Sequence, residues 1–306
     1  MPDDQLPLFQ HHRLFIGVPV FNESRFLRQC LESLAVQTDQ DFAVLVSDNS
    51  STDGSDLIAE EFSKEYPNFF FIQQQKNIGA AKNFIYLLDN TDSPFFQWLG
   101  SHDFLDKDFI GTILAEFDRR PSASLVYSHT QWIDEDGRHV RVSNGGNFAS
   151  SECVSPLMRY IETVSGPWGE CTAVNGIFKR DAIKGTQPHT FRGPDHLILS
   201  RAQFFGPVSR VASPLYFRRE FRKRETTQLE RLKGDGNAGK SGVNSIIPLI
   251  FWQLKNFLSL PCGAWSKFRK IPLLLAALER GHFAYFPKYK RLRRRLNLTL
   301  NYLRNV

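Results

Sequence analysis

Two stretches of the 306-residue chain decide its fold: residues 14–24 read LFIGVPVFNES and residues 42–55 read FAVLVSDNSSTDGS. Each is an apolar, β-rich run that ends abruptly in small and polar residues, the pattern of a buried strand that empties into a loop. Between them, Phe26, Leu27, Cys30, Leu31 and Leu34 share one helical face. Strand, helix and strand make a parallel pair joined by a right-handed crossover. Open parallel sheets bind ligands at the carboxyl ends of their strands. Here those ends are Pro19, Val20, Phe21, Asn22 and Glu23 on the first strand, and Ser47, Asp48, Asn49, Ser50 and Ser51 on the second.

The pattern continues downstream. Leu57, Ile58, Phe62 and Tyr66 form a helical stripe, and residues 69–72 a third strand that runs into Asn77 and Gly79. Gly79 suits a tight backbone turn at a helix start. Residues 80–88 read as helix, 95–99 as strand and 107–120 as an amphipathic helix stopped by Pro121. Residues 124–128 are expected as strand, 132–150 as a polar, glycine-bearing mobile excursion, 152–164 as helix and 171–180 as strand. A helix over 194–205 and a strand pair, 208–211 with 215–218, complete the unit. The expected class is α/β: a Rossmann-like, mostly parallel sheet flanked by helices, with a C-terminal helical extension. The expected division is a domain over 1–225, a flexible linker over 226–245, and a basic, apolar helical extension over 246–306.

Composition narrows the function. The four cysteines show no paired metal spacing, which points to reduced thiols in a reducing compartment. Residues 1–12 are polar and acidic, unlike a secretory signal. No run reaches the roughly 18 uncharged apolar residues of a membrane span. The net charge of +6 hides an asymmetry: residues 1–118 carry 7 Lys and Arg against 19 Asp and Glu, and the rest carry 31 against 13. An acidic half would need a cation to hold a pyrophosphate or another anion. A basic half suits anionic lipid head groups or a lipid-phosphate acceptor, and nucleic acid is not expected. The location that follows is cytoplasmic, at the inner face of the membrane, with residues 246–306 in peripheral contact. The string GDGNAGKS at 234–241 matches a phosphate-loop pattern but follows a charged segment instead of a buried strand, so it is read as linker.

Pro-x-Phe-Asn-Glu at 19–23, followed by Ser-Asp-Asn-x-Ser-x-Asp at 47–53, resembles the opening of family 2 glycosyltransferases, which have the GT-A fold. The likeness extends over about residues 13–220. It implies that Pro19, Phe21, Asn22, Glu23, Asp48, Asn77, Gly79, Lys82 and His102 line the site of a nucleotide-sugar donor, a UDP-sugar or another nucleoside-diphosphate sugar. Asp48, Asn22 and Asp53 also suit helix capping and turns, and Asp53 is read that way. Members of the family carry an acidic motif where this chain reads Gly-Ser-His-Asp at 100–103, with Gly100 and His102 at positions usually held by Asp. The retained Asp103, with His102, is the expected ligand pair for Mn²⁺ or Mg²⁺, imidazole favouring Mn²⁺. The segment 191–201 resembles the family's acceptor-side motif, and Asp195 keeps the position of the base that deprotonates the acceptor, with Pro194 in place of the usual Glu. Arg218 and Arg222 would cover the diphosphate. The implied activity is inverting transfer of a sugar to a hydroxyl of a glycan, a lipid-linked chain or another acceptor. The rival expectation is a non-catalytic nucleotide-sugar-binding or scaffolding protein on a degenerate GT-A fold. A sugar nucleotidylyltransferase is excluded because residues 18–25 form no glycine- and cation-rich phosphate loop.

Overall fold

A computed structural model describes residues 12–146, 148–150, 153–166, 171–186, 195–221 and 247–278. Strands β1 (Leu14–Val20) and β2 (Phe42–Asp48) are buried along their whole length. They pair in parallel from Leu14 opposite Phe42 to Val20 opposite Asp48, so both functional loops leave the sheet at the same level. Helix α1 (Ser24–Ala35) crosses between them and buries Leu27, Cys30, Leu31 and Leu34. β3 (Phe69–Gln73) adds beside β2 and β4 (Phe95–Trp98) beside β1, both parallel.

The strand alternation sorts side chains onto two faces. Ile16, Val18, Val44 and Val46 meet α1, α2 (Ser55–Glu65) and α4 (Phe109–Arg119) on one side. Phe15, Ala43 and Leu45 meet α3 (Ala80–Asp89) and α7 (Asp195–Phe205) on the other. Each such side chain contributes about 1.5–3 kcal/mol by leaving water. Gly17 lets α3 approach closely: a Cβ there would stand 2.9 Å from Leu87 Cβ.

The sheet order is β3-β2-β1-β4-β8-β6-β9-β5, with β7 also pairing β6. The half from β3 to β4 is parallel, and the other half is mixed. β8 (Ile177–Lys179) runs antiparallel to both β4 and β6 (Leu125–Ile133). β9 (Val208–Arg219) is parallel to β6, and β5 (Phe104–Leu105) is antiparallel to β9.

Several expectations change. Residues 208–211 and 215–218 do not pair with each other; they are halves of β9, whose register against β6 shifts around Pro214. A proline there marks a bulge in a continuous strand, not a turn. The excursion over 132–150 contains a hairpin, because β6 runs on to Ile133 and β7 (His139–Ser143) folds back on it. Asp134 Oδ1 closes that turn by accepting the N–H groups of Asp136 and Arg138. The strand expected over 171–180 is a 3₁₀ turn, Thr172–Asn175, followed by the short β8 and by α6 (Arg180–Ile183). The last helix, α9 (Ala264–Leu278), carries Pro272 inside.

α8 (Ile247–Ser259) and α9 pack on α5 (Pro156–Ser165) and on the end of α7 through Tyr160, Val164, Phe204, Phe257 and Leu274. Among the described residues no helix is long and apolar enough to cross a membrane, and no disulfide forms. Arg222, the 226–245 linker with its phosphate-loop string, and the basic run after residue 278 lie outside the described residues.

Candidate active site

The two loops after β1 and β2 are built as one unit. The Asn22 N–H donates to Ser51 Oγ at 2.9 Å, and the Thr52 N–H donates back to Asn22 Oδ1 at 2.9 Å. Asn22 (φ 54°) and Ser50 (φ 66°) are the two non-glycine residues with positive φ among those described, one in each loop. Backbone held in this region costs free energy and gathers at functional sites. Asp53 caps, as expected: its carboxylate accepts the N–H of Ser24 at 2.9 Å, and the N–H and hydroxyl of Ser55 at 3.1 and 2.6 Å. Burial pushes its pKa up, but these bonds from Ser55 and Ser24 bring it below the ordinary value.

Asp48 is fully buried at the end of β2. Its carboxylate accepts the Ser51 N–H at 3.0 Å, the Ser51 hydroxyl, and Gln73 Nε2 at 3.4 Å. Asn77 reaches the same corner. Its Oδ1 accepts Asn49 Nδ2 at 2.9 Å and the Gly79 N–H at 2.8 Å, while Gly79 turns at φ 87° into α3. Asn83 points inward and bonds Ser47 twice, so it ties α3 to β2. Lys82, its neighbour, is exposed on α3.

The loop after β4 carries Gly100, His102 and Asp103. Asp103 is buried, and its carboxylate accepts the Tyr216 hydroxyl (2.8 Å, Oδ2) and the Arg219 N–H (2.8 Å, Oδ1). Burial, with Asp103 alongside, drives the Tyr216 phenol pKa well up, so it stays a protonated donor. His102 sits between two carboxylates: Nδ1 lies 3.4 Å from Glu23 Oε1, and Nε2 lies 3.9 Å from Asp103 Oδ1. Nε2, the ring nitrogen nearer Asp103, is the one placed to share a ligand with that carboxylate. Glu23, read from sequence as a donor contact, is thus also the group behind His102.

A cation can be tested against this geometry. Two ligands on one ion with bonds of about 2.1 Å can bridge up to roughly 4.2 Å, which spans the His102–Asp103 separation. Each Asp103 oxygen accepts one hydrogen bond and keeps a second acceptor site. Gly100 adds no ligand, and its Cβ position lies 3.1 Å from Asp103 Oδ2. No group of three or more His, Cys, Asp or Glu that could hold a metal ion occurs among the described residues. The pair fits an open two-ligand site that needs a donor's oxygens to complete it.

Asp195 opens α7, and its neighbours are Arg218 and the Cys171–His196 pair. Burial pushes its carboxyl above its ordinary range, while Arg218 and a backbone bond pull it back. Burial also raises the Cys171 thiol to about 12 and lowers His196 to about 4, so both are neutral, and Cys171 Sγ and His196 Nε2 share a hydrogen bond at 3.0 Å. Arg218 lies over the buried Trp132 ring at 5.0 Å, and Arg141 over the same ring at 4.2 Å. β9 therefore links the two halves of the site: Tyr216 and Arg219 hold Asp103, and Arg218 acts on Asp195.

Sequence reasoning missed Tyr216, the inward role of Arg219 and the Cys171–His196 contact. Arg219 is the last residue of β9. It is 4% exposed and serves His102 O, Asp134 O, Glu135 O and Gln29 Oε1 at 2.7–3.1 Å. Alternation along β9 turns Tyr216 and Arg219 to opposite faces, so it does not predict that both are buried.

Chondroitin synthase of Escherichia coli is 34% identical to this chain over 134 residues, covering 44% of the chain and 19% of the relative. The teichoic acid poly(glycerol phosphate) polymerase of Staphylococcus epidermidis is 26% identical over 224 residues, 68% of the chain and 29% of the relative. The chain thus spans less than a third of the length of these relatives. Among solved structures, S. aureus TarS in complex with UDP-GlcNAc superposes with a TM-score of 0.64 at 20% identity, covering 89% of this chain and 73% of that one. The Pyrobaculum calidifontis mannosyltransferase PcManGT, in complex with GDP-Man and Mn²⁺, gives 0.51 at 14% identity, covering 96% and 82%. These structural likenesses carry the fold. The family description "Glycosyl transferase family 2" matches residues 15–186, more than half of the chain, and the protein belongs to that family.

Proposed function

We propose that the chain is an inverting glycosyltransferase that moves a sugar from a nucleoside-diphosphate sugar to a hydroxyl of a glycan, a lipid-linked chain or another acceptor. The observation that carries this reading is the continuity of the site along the strand ends. The Asp48–Asn77 corner adjoins the loop of Glu23, whose carboxylate backs His102, and β9 runs from Asp103 to the charge that acts on Asp195.

In this mechanism the nucleotide lies against Pro19, Phe21, Asn22, Asp48 and Asn77. Gly79 keeps the α3 start close, and Lys82 stands at the rim. Asp195 accepts the proton of the acceptor hydroxyl while its oxygen bonds the anomeric carbon and the diphosphate leaves from the opposite face. A carboxylate with a raised pKa is a better base for this step than an ordinary one. Arg218, and Arg222 beyond it, offset the charge of the departing diphosphate. His102 and Asp103 would hold a divalent cation, whose chemistry is the neutralisation of that same charge. The bound nucleotides of TarS and PcManGT agree with a UDP- or GDP-type donor. Work at the cytoplasmic side of a membrane suits a lipid-linked acceptor.

A second reading, donor binding without turnover, is favoured by Gly100 in place of a carboxylate. The test is direct: UDP- and GDP-sugars with the purified chain and Mn²⁺, scoring donor consumption. Turnover abolished by Asp195→Asn with donor binding retained supports transfer. Binding without turnover in the unaltered protein, across donors and metals, supports the second reading, and no binding of any donor at millimolar concentration refutes both.

A further inference from the structure

We propose that the outward faces of α8 and α9 form a docking surface for an anionic lipid bilayer. The observations are independent of any sugar chemistry. Five of the eleven strongly exposed large apolar side chains among the described residues lie on these two helices: Phe251, Leu258, Trp265, Phe268 and Leu273, at 43–71% exposure. Their spacing places Phe251 and Leu258 on one face of α8, and Trp265, Phe268 and Leu273 on one face of α9. The opposite faces are already used, since Leu249, Phe257, Leu274 and Leu278 are buried. Both helices are therefore apolar on two sides, one turned to the protein and one to the surroundings.

The two helices are joined by Lys267 Nζ, which donates to Leu258 O at 2.6 Å, and within α9 Trp265 stacks on Phe268 with ring centroids 5.7 Å apart. Lys255 lies 4.3 Å from the Trp252 ring. Aromatic rings beside long cationic side chains are the composition of a helix lying in a membrane interface.

Charge decides among the occupants. Residues 247–278 carry Lys255, Lys267, Arg269 and Lys270 and no Asp or Glu. A second copy meeting this face through the same face would set these cations against their own kind. The chain's own residues 279–306 carry eight Lys and Arg against one Glu and are repelled in the same way. A bilayer with anionic lipid accepts the rings and the cations together, and each added cation at such a surface multiplies binding by a factor of about five. The inner face gives the docking a consequence. Asn256 Nδ2 donates to Leu197 O at 3.3 Å and Gln253 Nε2 to His196 O at 3.4 Å, on the first turn of the helix that Asp195 opens. A bilayer-bound α8 would present Asp195 to acceptors held in the membrane.

The test is sedimentation of the full chain with phosphatidylcholine vesicles, with and without phosphatidylglycerol. Binding should require phosphatidylglycerol and weaken with salt. It should fall at least about tenfold in Trp265→Glu/Phe268→Glu and roughly tenfold or more in Arg269→Gln/Lys270→Gln. Unchanged thermal melts and donor binding in both variants show that the fold and the sugar site survive. Absence of binding to the anionic vesicles, or equal binding by the unaltered protein and both variants, overturns the proposal. So does a dimer in light scattering that Trp265→Glu/Phe268→Glu dissociates, since that assigns the face to a second copy.

Discussion

Replacing Arg219 should damage the site from beneath. Its guanidinium donates to three backbone carbonyls, His102, Asp134 and Glu135, and to Gln29 Oε1, and it lies over the Phe26 ring at 4.4 Å. Arg219→Leu keeps an apolar stem but leaves those acceptors without their charged donor. A hydrogen bond to a charged group contributes about 1.5–3 kcal/mol, and breaking a buried ionic network costs about 3–5 kcal/mol because its members are not additive. The expected loss for Arg219→Leu is therefore about 3–5 kcal/mol. Arg219→Lys keeps the charge but not the fork, so one ammonium serves one or two of the four acceptors, and the expected loss is about 1–2.5 kcal/mol. Urea unfolding followed by tryptophan fluorescence reads both. Because the Arg219 Nε–H fixes the His102 carbonyl, donor affinity in Arg219→Lys should fall about tenfold at a temperature where that variant is fully folded. A loss below about 1 kcal/mol for leucine, or equal losses for leucine and lysine, would refute the view that the fork, not the charge alone, organises this loop.

Other expectations follow from the same site. Asp195→Asn should lower transfer by about 10²–10⁴ with donor binding intact. The acidic limb of the rate profile should lie above the ordinary carboxylate range, and Arg218→Leu should move it to higher pH, since Arg218 is the charge that pulls the Asp195 pKa down. His196 has a folded pKa of about 4 against 6.5 unperturbed. Its neutral form thus contributes stability that is present above about pH 6.5 and lost as pH falls toward 4, by at most about 3 kcal/mol. Urea midpoints across that window should fall more steeply in the unaltered protein than in His196→Gln. Gly100→Asp places a second carboxylate beside Asp103, so it should raise Mn²⁺ affinity, measured by titration calorimetry, while destabilising the metal-free protein by about 1 kcal/mol through like-charge crowding. Unchanged Mn²⁺ affinity would show that position 100 does not face the cation.

Where the sequence was legible, it was because local pattern and tertiary role coincide. β1 and β2 are buried on both faces, so their apolar runs announce them, and their loops begin where the runs stop. The hairpin of β7 was hidden because His139, Val140 and Val142 are exposed and the strand alternates against no core. β5 is two residues long, too short to carry a period. Pro214 looked like a turn because proline usually ends a strand pairing, and only the partner β6 shows that it makes a bulge. The contact of Tyr216 with Asp103 joins residues 113 positions apart, and no local pattern encodes it. Asp53 was legible as a helix-start residue through its bonds to Ser55, two positions on, while its bond to Ser24 spans 29 positions and is not local.

Put together, the departures at 100 and 102 and the burial of Arg219 describe one electrostatic trade. The family pattern that the sequence resembles would place two carboxylates where this chain has a glycine and an imidazole, so the loop would carry two fewer negative charges toward an arriving diphosphate. That weakens the hold on a cation, since hard ions bind in proportion to the charge of their oxygen ligands. It also removes repulsion that a cation would otherwise have to cancel. A fixed positive charge lies under the same loop, since Arg219 holds the carbonyl of His102 and its backbone N–H meets Asp103. Unlike an ion, Arg219 neither dissociates nor exchanges. The physical expectation is a site whose donor affinity depends less steeply on Mn²⁺ concentration than in a relative with both carboxylates, because part of the compensating charge belongs to the chain itself.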